Sequence, residues 1–127
     1  MRIIGHGIDL VSIARIREQL DSPNMRWAEQ FCSADERAQA DAPPVHYRYY
    51  ASRFAGKEAV VKALGTGFAG DITWRGIEIL RRESGAPYVR LTDEVQTLAK
   101  GFGITDWFIS ISYADGVVIA SAIAVGE

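Results

Sequence analysis

His46-Tyr47-Arg48-Tyr49-Tyr50-Ala51-Ser52-Arg53-Phe54-Ala55-Gly56-Lys57-Glu58-Ala59-Val60-Val61-Lys62-Ala63-Leu64 is the longest stretch with a helical apolar period, and its reading decides the fold. Tyr47, Tyr50, Phe54 and Val61 fall on one stripe, which predicts a central helix over 46–64. Gly65, Gly67 and Gly70 end it in a loop, and beyond them the period changes. Arg75 to Arg82 alternates partly as a strand, Gly85 and Pro87 turn it, and Tyr88 to Leu91 reads as its hairpin partner. Asp93 to Lys100 supports a short helix through Val95, Leu98 and Ala99. Two further strands, Trp107 to Tyr113 and Val117 to Val125, flank Ala114-Asp115-Gly116, and the near-continuous apolarity of the second predicts burial on both faces.

Upstream of the helix, Pro43 and Pro44 stop a short helix that Ser33 and Glu36 open with capping-box spacing. Trp27 and Phe31, four apart, mark another. Ser12 is the expected N-cap of a helix with Ile13, Ile16 and Leu20 inward and Arg15 and Glu18 outward, broken by Asp21, Ser22 and Pro23. Met1 to Leu10, rich in Ile and punctuated by Gly5 and Gly7, reads as a strand whose backbone closely approaches another element. Strand, helices, hairpin, helix, hairpin: the order predicts an α+β fold, a largely antiparallel sheet packed with a long central helix and shorter helices, in one domain over residues 1–127.

Composition narrows the function. Of 127 residues, 48% are hydrophobic, enough for one buried core. Fourteen Lys and Arg against sixteen Asp and Glu give a net charge of −2, which argues against a general nucleic-acid binder and requires any anion site to be local. Cys32 stands alone and reads as packing. Val117 to Val125 is about half the length of a membrane-spanning helix, so no membrane span is expected. Asp9 interrupts what would otherwise be the apolar part of a secretion signal, and the cytoplasm is the expected location.

Phosphate-loop and dinucleotide templates do not fit the glycines, and neither a nucleophile elbow nor zinc spacing occurs. What stands out is the charge on the central helix: Arg48, Arg53, Lys57, Glu58 and Lys62. Glu58 falls beside the apolar stripe, with Lys62 only about 40° away around the helix. A half-buried carboxylate needs a cation, and either Lys62 in an ordinary i,i+4 pair or a bound metal could supply it. Asp9, closing an Ile-rich strand, raises the same question, with a capping or turn role as the plain alternative. Two carboxylates near Lys and Arg would suit Mg²⁺ holding a phosphorylated ligand. Their spacing in sequence does not bring them together.

Three segments carry a resemblance: Gly5-His6-Gly7-Ile8-Asp9-Leu10-Val11, then Arg53-Phe54-Ala55-Gly56-Lys57-Glu58-Ala59 with Lys62-Ala63, and Ile72-Thr73-Trp74 with Ile77-Glu78-Ile79 and the late Ser110-Ile111-Ser112. The chain is similar, over nearly its whole length, to the short, single-domain 4′-phosphopantetheinyl transferases of the holo-acyl-carrier-protein synthase type. The resemblance implies Mg²⁺-dependent transfer of phosphopantetheine from coenzyme A to a serine of apo acyl carrier protein. It implies Asp9 and Glu58 as metal ligands, Lys62 at the pyrophosphate and leaving group, and Glu58, directly or through water, as acceptor of the serine proton. Arg48 and Arg53 become candidates for phosphate contacts. Tyr113 stands where the family usually has histidine, near the coenzyme A site, and keeps a hydroxyl but no cationic form near neutral pH. Arg15, Arg17 and Arg26 are candidates for docking the acidic carrier, with solvated helix charges as the alternative. A homotrimer with active sites between subunits is also implied. A coenzyme A or carrier-protein binding module without turnover is the second reading, motivated by Tyr113, and a structural subunit the third.

Overall fold

The computed structural model describes residues 1–23, 26–70 and 72–127. In chain order it runs β1 (Arg2–Ser12), α1 (Ile13–Leu20), α2 (Trp27–Phe31), α3 (Ala34–Ala38), α4 (His46–Leu64), β2 (Ile77–Arg81), β3 (Pro87–Leu91), α5 (Asp93–Gly101), β4 (Ile104–Ala114) and β5 (Val117–Gly126). The expected sheet is two: an antiparallel three-stranded sheet in the order β1-β5-β4 and a separate β2-β3 hairpin. The α+β class stands, with α4 packed between the sheet and the hairpin.

Small residues let the sheet and α4 meet closely. A Cβ on Gly5 would lie 2.0 Å from the Ala63 carbonyl oxygen, and one on Gly7 1.9 Å from that of Ala59. Ala120, Ala122 and Ala124 of β5 are buried on the same face. The close approach expected of Gly5 and Gly7 is therefore made to the backbone of α4. Asp9 follows Gly5 and Gly7 at strand period two, which turns it toward the helix as well.

The stripe expected on α4 understates its burial. Tyr49, Tyr50, Ala51, Ala55, Ala59, Val60 and Val61 are all buried, while Tyr47 is half-exposed and donates its hydroxyl to Asp21, 2.8 Å away. A period built on large side chains cannot see alanines that are covered by elements on several sides. Gly65, in the left-handed conformation (φ 77°), stops the helix.

Burial of β5 on both faces is corrected. Val118, Ala120, Ala122 and Ala124 are buried, whereas Ile119, on the other face, is 36% exposed. Pairing places Ile8 and Leu10 of β1 and Phe108 of β4 on that outer face, all exposed. His6 bonds Ser121 across it, at 3.1 Å. The sequence is apolar on both sides of β5, but one chain covers only one of them.

The expected caps form. Ser12 accepts from the Arg15 amide, and Ser33 and Glu36 complete a capping box on α3. Trp27, Phe54, Trp74 and Phe68 stack in succession, with ring centroids 5.8, 5.0 and 4.0 Å apart.

Candidate active site

Asp9, Glu58 and Lys62 are brought together where β1 crosses α4. The Lys62 ammonium donates to Asp9 Oδ1 at 3.1 Å and to the Ile8 carbonyl at 2.9 Å. The i,i+4 pair with Glu58 does not form: the lysine reaches across to the strand, where the Asp9 carboxylate and the neighbouring Ile8 carbonyl both accept from it. Asp9 thus neither caps α1 nor ends in solvent. Glu58 is half-buried, and among the described residues it makes no ion pair. Burial pushes its carboxyl above the ordinary value, Asp9 adds to that, and Lys62 and Arg15 oppose it. The structure thus holds two neighbouring carboxylates, one of them unneutralised.

That donor set fits a hard divalent cation. Among the described residues no group of three or more His, Cys, Asp or Glu gathers in one place. Two carboxylates would suit Mg²⁺, which usually takes one or two of them and completes its shell with water and phosphate.

Arg48, Arg53 and Tyr113 lie elsewhere, around a cavity that Ser52, Asp41 and Arg81 also line. Arg53 is only 3% exposed; it donates to Ser52 Oγ at 2.9 Å and lies 4.3 Å over the Tyr49 ring. Its Nε has no partner, and among the described residues it pairs with no carboxylate. Arg53 is thus no solvated helix charge: it lines the cavity together with Arg81 of β2 and Ile111 of β4. A buried guanidinium without an anion is costly, and a bound anion would relieve it. Arg48 lies 4.0 Å over the ring of Tyr113, itself 58% exposed. From Arg53 to Glu58 is about 7.5 Å of rise and about 140° of rotation, so α4 points its two candidate groups in different directions within one chain.

A family model described as the 4′-phosphopantetheinyl transferase superfamily matches residues 5–120. The chain belongs to that family. Among its relatives, the holo-[acyl-carrier-protein] synthase of Maridesulfovibrio salexigens is 43% identical over 126 residues, covering 98% of each chain. That of Desulforudis audaxviator is 42% identical over 124 residues, covering 98% of this chain and 94% of the relative. Among solved structures, the holo-[acyl-carrier-protein] synthase of Neisseria meningitidis superposes with a TM-score of 0.87 at 30% identity, covering 97% of this chain and 98% of that one. The Helicobacter pylori synthase, solved in complex with coenzyme A, gives 0.83 at 32% identity, covering 94% and 99%.

Of the arginines expected to dock a carrier on this phosphopantetheinyl transferase fold, Arg17 pairs with Asp21 at 3.7 Å and Arg26 with Glu29 at 3.8 Å, both exposed. Arg15 is exposed, makes no ion pair among the described residues, and is close enough to Glu58 to act on its carboxyl. Lys57 and Glu36 escaped the sequence reading. Both side chains are fully buried, 2.7 Å apart, although Lys57 counts as one more surface charge by pattern and Glu36 as an ordinary capping residue. No local signal marks them, since the flanks Ala55-Gly56 and Ala59-Val60 also enclose Glu58, which is only half-buried.

Proposed function

We propose that the chain transfers the 4′-phosphopantetheine group of coenzyme A to a serine of apo acyl carrier protein, releasing adenosine 3′,5′-bisphosphate. The observation that carries this reading is the constellation of Asp9, Glu58 and Lys62 on a fold whose relatives are holo-[acyl-carrier-protein] synthases. Asp9 and Glu58 would hold Mg²⁺, which when bound neutralises pyrophosphate charge and polarises the phosphorus under attack. The serine hydroxyl attacks the phosphorus attached to the pantetheine, and the bond to the bridging oxygen of the nucleotide breaks. Glu58 takes the serine proton, directly or through water, a role suited by a carboxyl whose basicity is raised by burial and by Asp9. Lys62 faces the charge that develops on the leaving phosphate.

Arg53, buried without a counter-ion, and Arg48, steadied by the Tyr113 ring, supply the phosphate subsite in this reading. Since one chain directs this subsite away from Glu58, the site is completed between copies in a homotrimer, and the uncovered apolar face of the three-stranded sheet supports such assembly. Arg15, beside Glu58, is the best placed of the docking arginines, with Arg17 and Arg26 contributing once their exposed pairs exchange for the carrier's acids. Among the described residues no helix is long and apolar enough to cross a membrane, and we place the enzyme in the cytoplasm with its substrates.

Mass spectrometry of apo carrier protein incubated with coenzyme A tests the reading. A Mg²⁺-dependent gain of the phosphopantetheine arm is expected, with a loss of at least about 100-fold for Asp9→Ala or Glu58→Ala in folded protein. No gain on any carrier from the same cell overturns it; tight coenzyme A binding without transfer, restored by Tyr113→His, would establish the binding-module reading instead.

A further inference from the structure

Lys57 and Glu36 are the buried charged pair to which the reaction above gives no task. The Lys57 ammonium donates to Glu36 Oε1 at 2.7 Å, to the Trp74 carbonyl at 2.8 Å and to the Ile77 carbonyl. We propose that Lys57 is a positioning residue for the transfer: its three-way clamp fixes the rotation of α4 at the turn that carries Glu58, and so aims that carboxylate at Asp9.

Three acceptors from three separate segments, α3, the loop after α4 and the first residue of β2, converge on one nitrogen and use all its donors. Glu36 is itself held, accepting from the Ser33 and Ile79 amides at 3.0 Å each. Successive helical residues differ by about 100° in direction, so locking residue 57 inward sets where residue 58 points. Stability alone is a poor account of the pair, because apolar side chains of similar volume generally serve as well in a core. What an apolar residue cannot supply is direction. Lys57 also holds the carbonyl of Trp74, whose ring stacks on Phe54, one turn before Glu58 on α4.

The inference rests on the transferase reading for the use made of Glu58. Its test compares the whole protein with Lys57→Met/Glu36→Gln, which removes both interior charges and leaves one amide oxygen at position 36 to accept from one of the two backbone N–H groups. Thermal unfolding, steady-state kinetics on the carrier, and Mn²⁺ titration followed by electron paramagnetic resonance are the measurements. The expected result is a folded variant whose kcat falls at least about tenfold with an unchanged KM for coenzyme A, and whose Mn²⁺ binding weakens at least about tenfold. Val95→Ala, a core truncation in α5, should lower the melting temperature and leave both quantities alone. A folded double variant with wild-type kcat and Mn²⁺ affinity overturns the proposal. Should the double variant not fold, Lys57→Arg takes its place, since a guanidinium cannot meet the same three oxygens; unchanged kcat and Mn²⁺ affinity there overturn it equally. Absence of transfer by the unaltered protein would sink the transferase reading, while the Mn²⁺ titration would still decide whether the clamp aims Glu58.

Discussion

Glu58 is held at a cost that its own chemistry can report. Burial first, and Asp9 second, raise its carboxyl above the ordinary value of 4.5, against the pull of Lys62 and Arg15. The fold therefore binds the proton more tightly than the unfolded chain does. The stability associated with the protonated form is complete below pH 4.5 and is lost as pH rises through the higher folded value. Glu58→Gln should accordingly raise the melting temperature of the metal-free protein at pH 7 to 8, with the gain vanishing below about pH 4.5. Millimolar Mg²⁺ should stabilise the wild type and leave this variant unmoved, as differential scanning calorimetry would show. At this scale the sequence was half legible. Asp9 and Glu58 stood out because a carboxylate amid apolar residues demands a partner, but Lys57 did not, since helical pattern gives a lysine no mark that separates a solvated ammonium from one clamped by three buried oxygens. Arg53 was named as a phosphate contact, but its burial was hidden for the same reason: the cavity it lines is shared with residues of β2 and β4, which are distant in sequence.

The elements were easier to read than their partners. Ser12, Ser33 with Glu36, and Gly65 mark helix ends by local chemistry that needs no tertiary context, and the structure keeps all three. The close approach of β1 was also written in Gly5 and Gly7, although not the surface it approaches. Gly7→Ala tests how tightly strand and helix are bound to each other. With its Cβ 1.9 Å from the Ala59 carbonyl oxygen, a backbone atom that cannot swing away, β1 must lift from α4. A loss of about 3 kcal/mol or more is expected, at the upper end for overpacking, and chemical denaturation would measure it. Because the lift would also separate Asp9 from Glu58, Mg²⁺-dependent activity should fall further than the folded fraction does. What alternation could not tell was whether β5 is covered twice, since hydrophobicity shows which faces seek cover and not whether the same chain provides it.

In the whole molecule, α4 bears the acid-lysine group on one face and the arginine group on another, so the assembled enzyme should obey a rule that no monomer would. Arg53→Ala and Glu58→Ala, each nearly inactive alone, should complement when co-expressed, because some interfaces then pair an intact Glu58 with an intact Arg53 from a neighbour. Random assortment predicts recovery of about a quarter of wild-type activity. Recovery absent from well-mixed oligomers would show that each copy works alone. The placement of β1 carries this further. Its odd residues Gly5, Gly7 and Asp9 face the helix, and its even residues His6, Ile8 and Leu10 face outward on the sheet surface proposed to meet other copies. One ribbon of backbone therefore serves the cation on one side and the neighbour on the other. By mass action, whatever steadies Asp9 should also steady the assembly, so that dilution loosens the grip on Mg²⁺ and Mg²⁺ lowers the concentration at which the copies come apart.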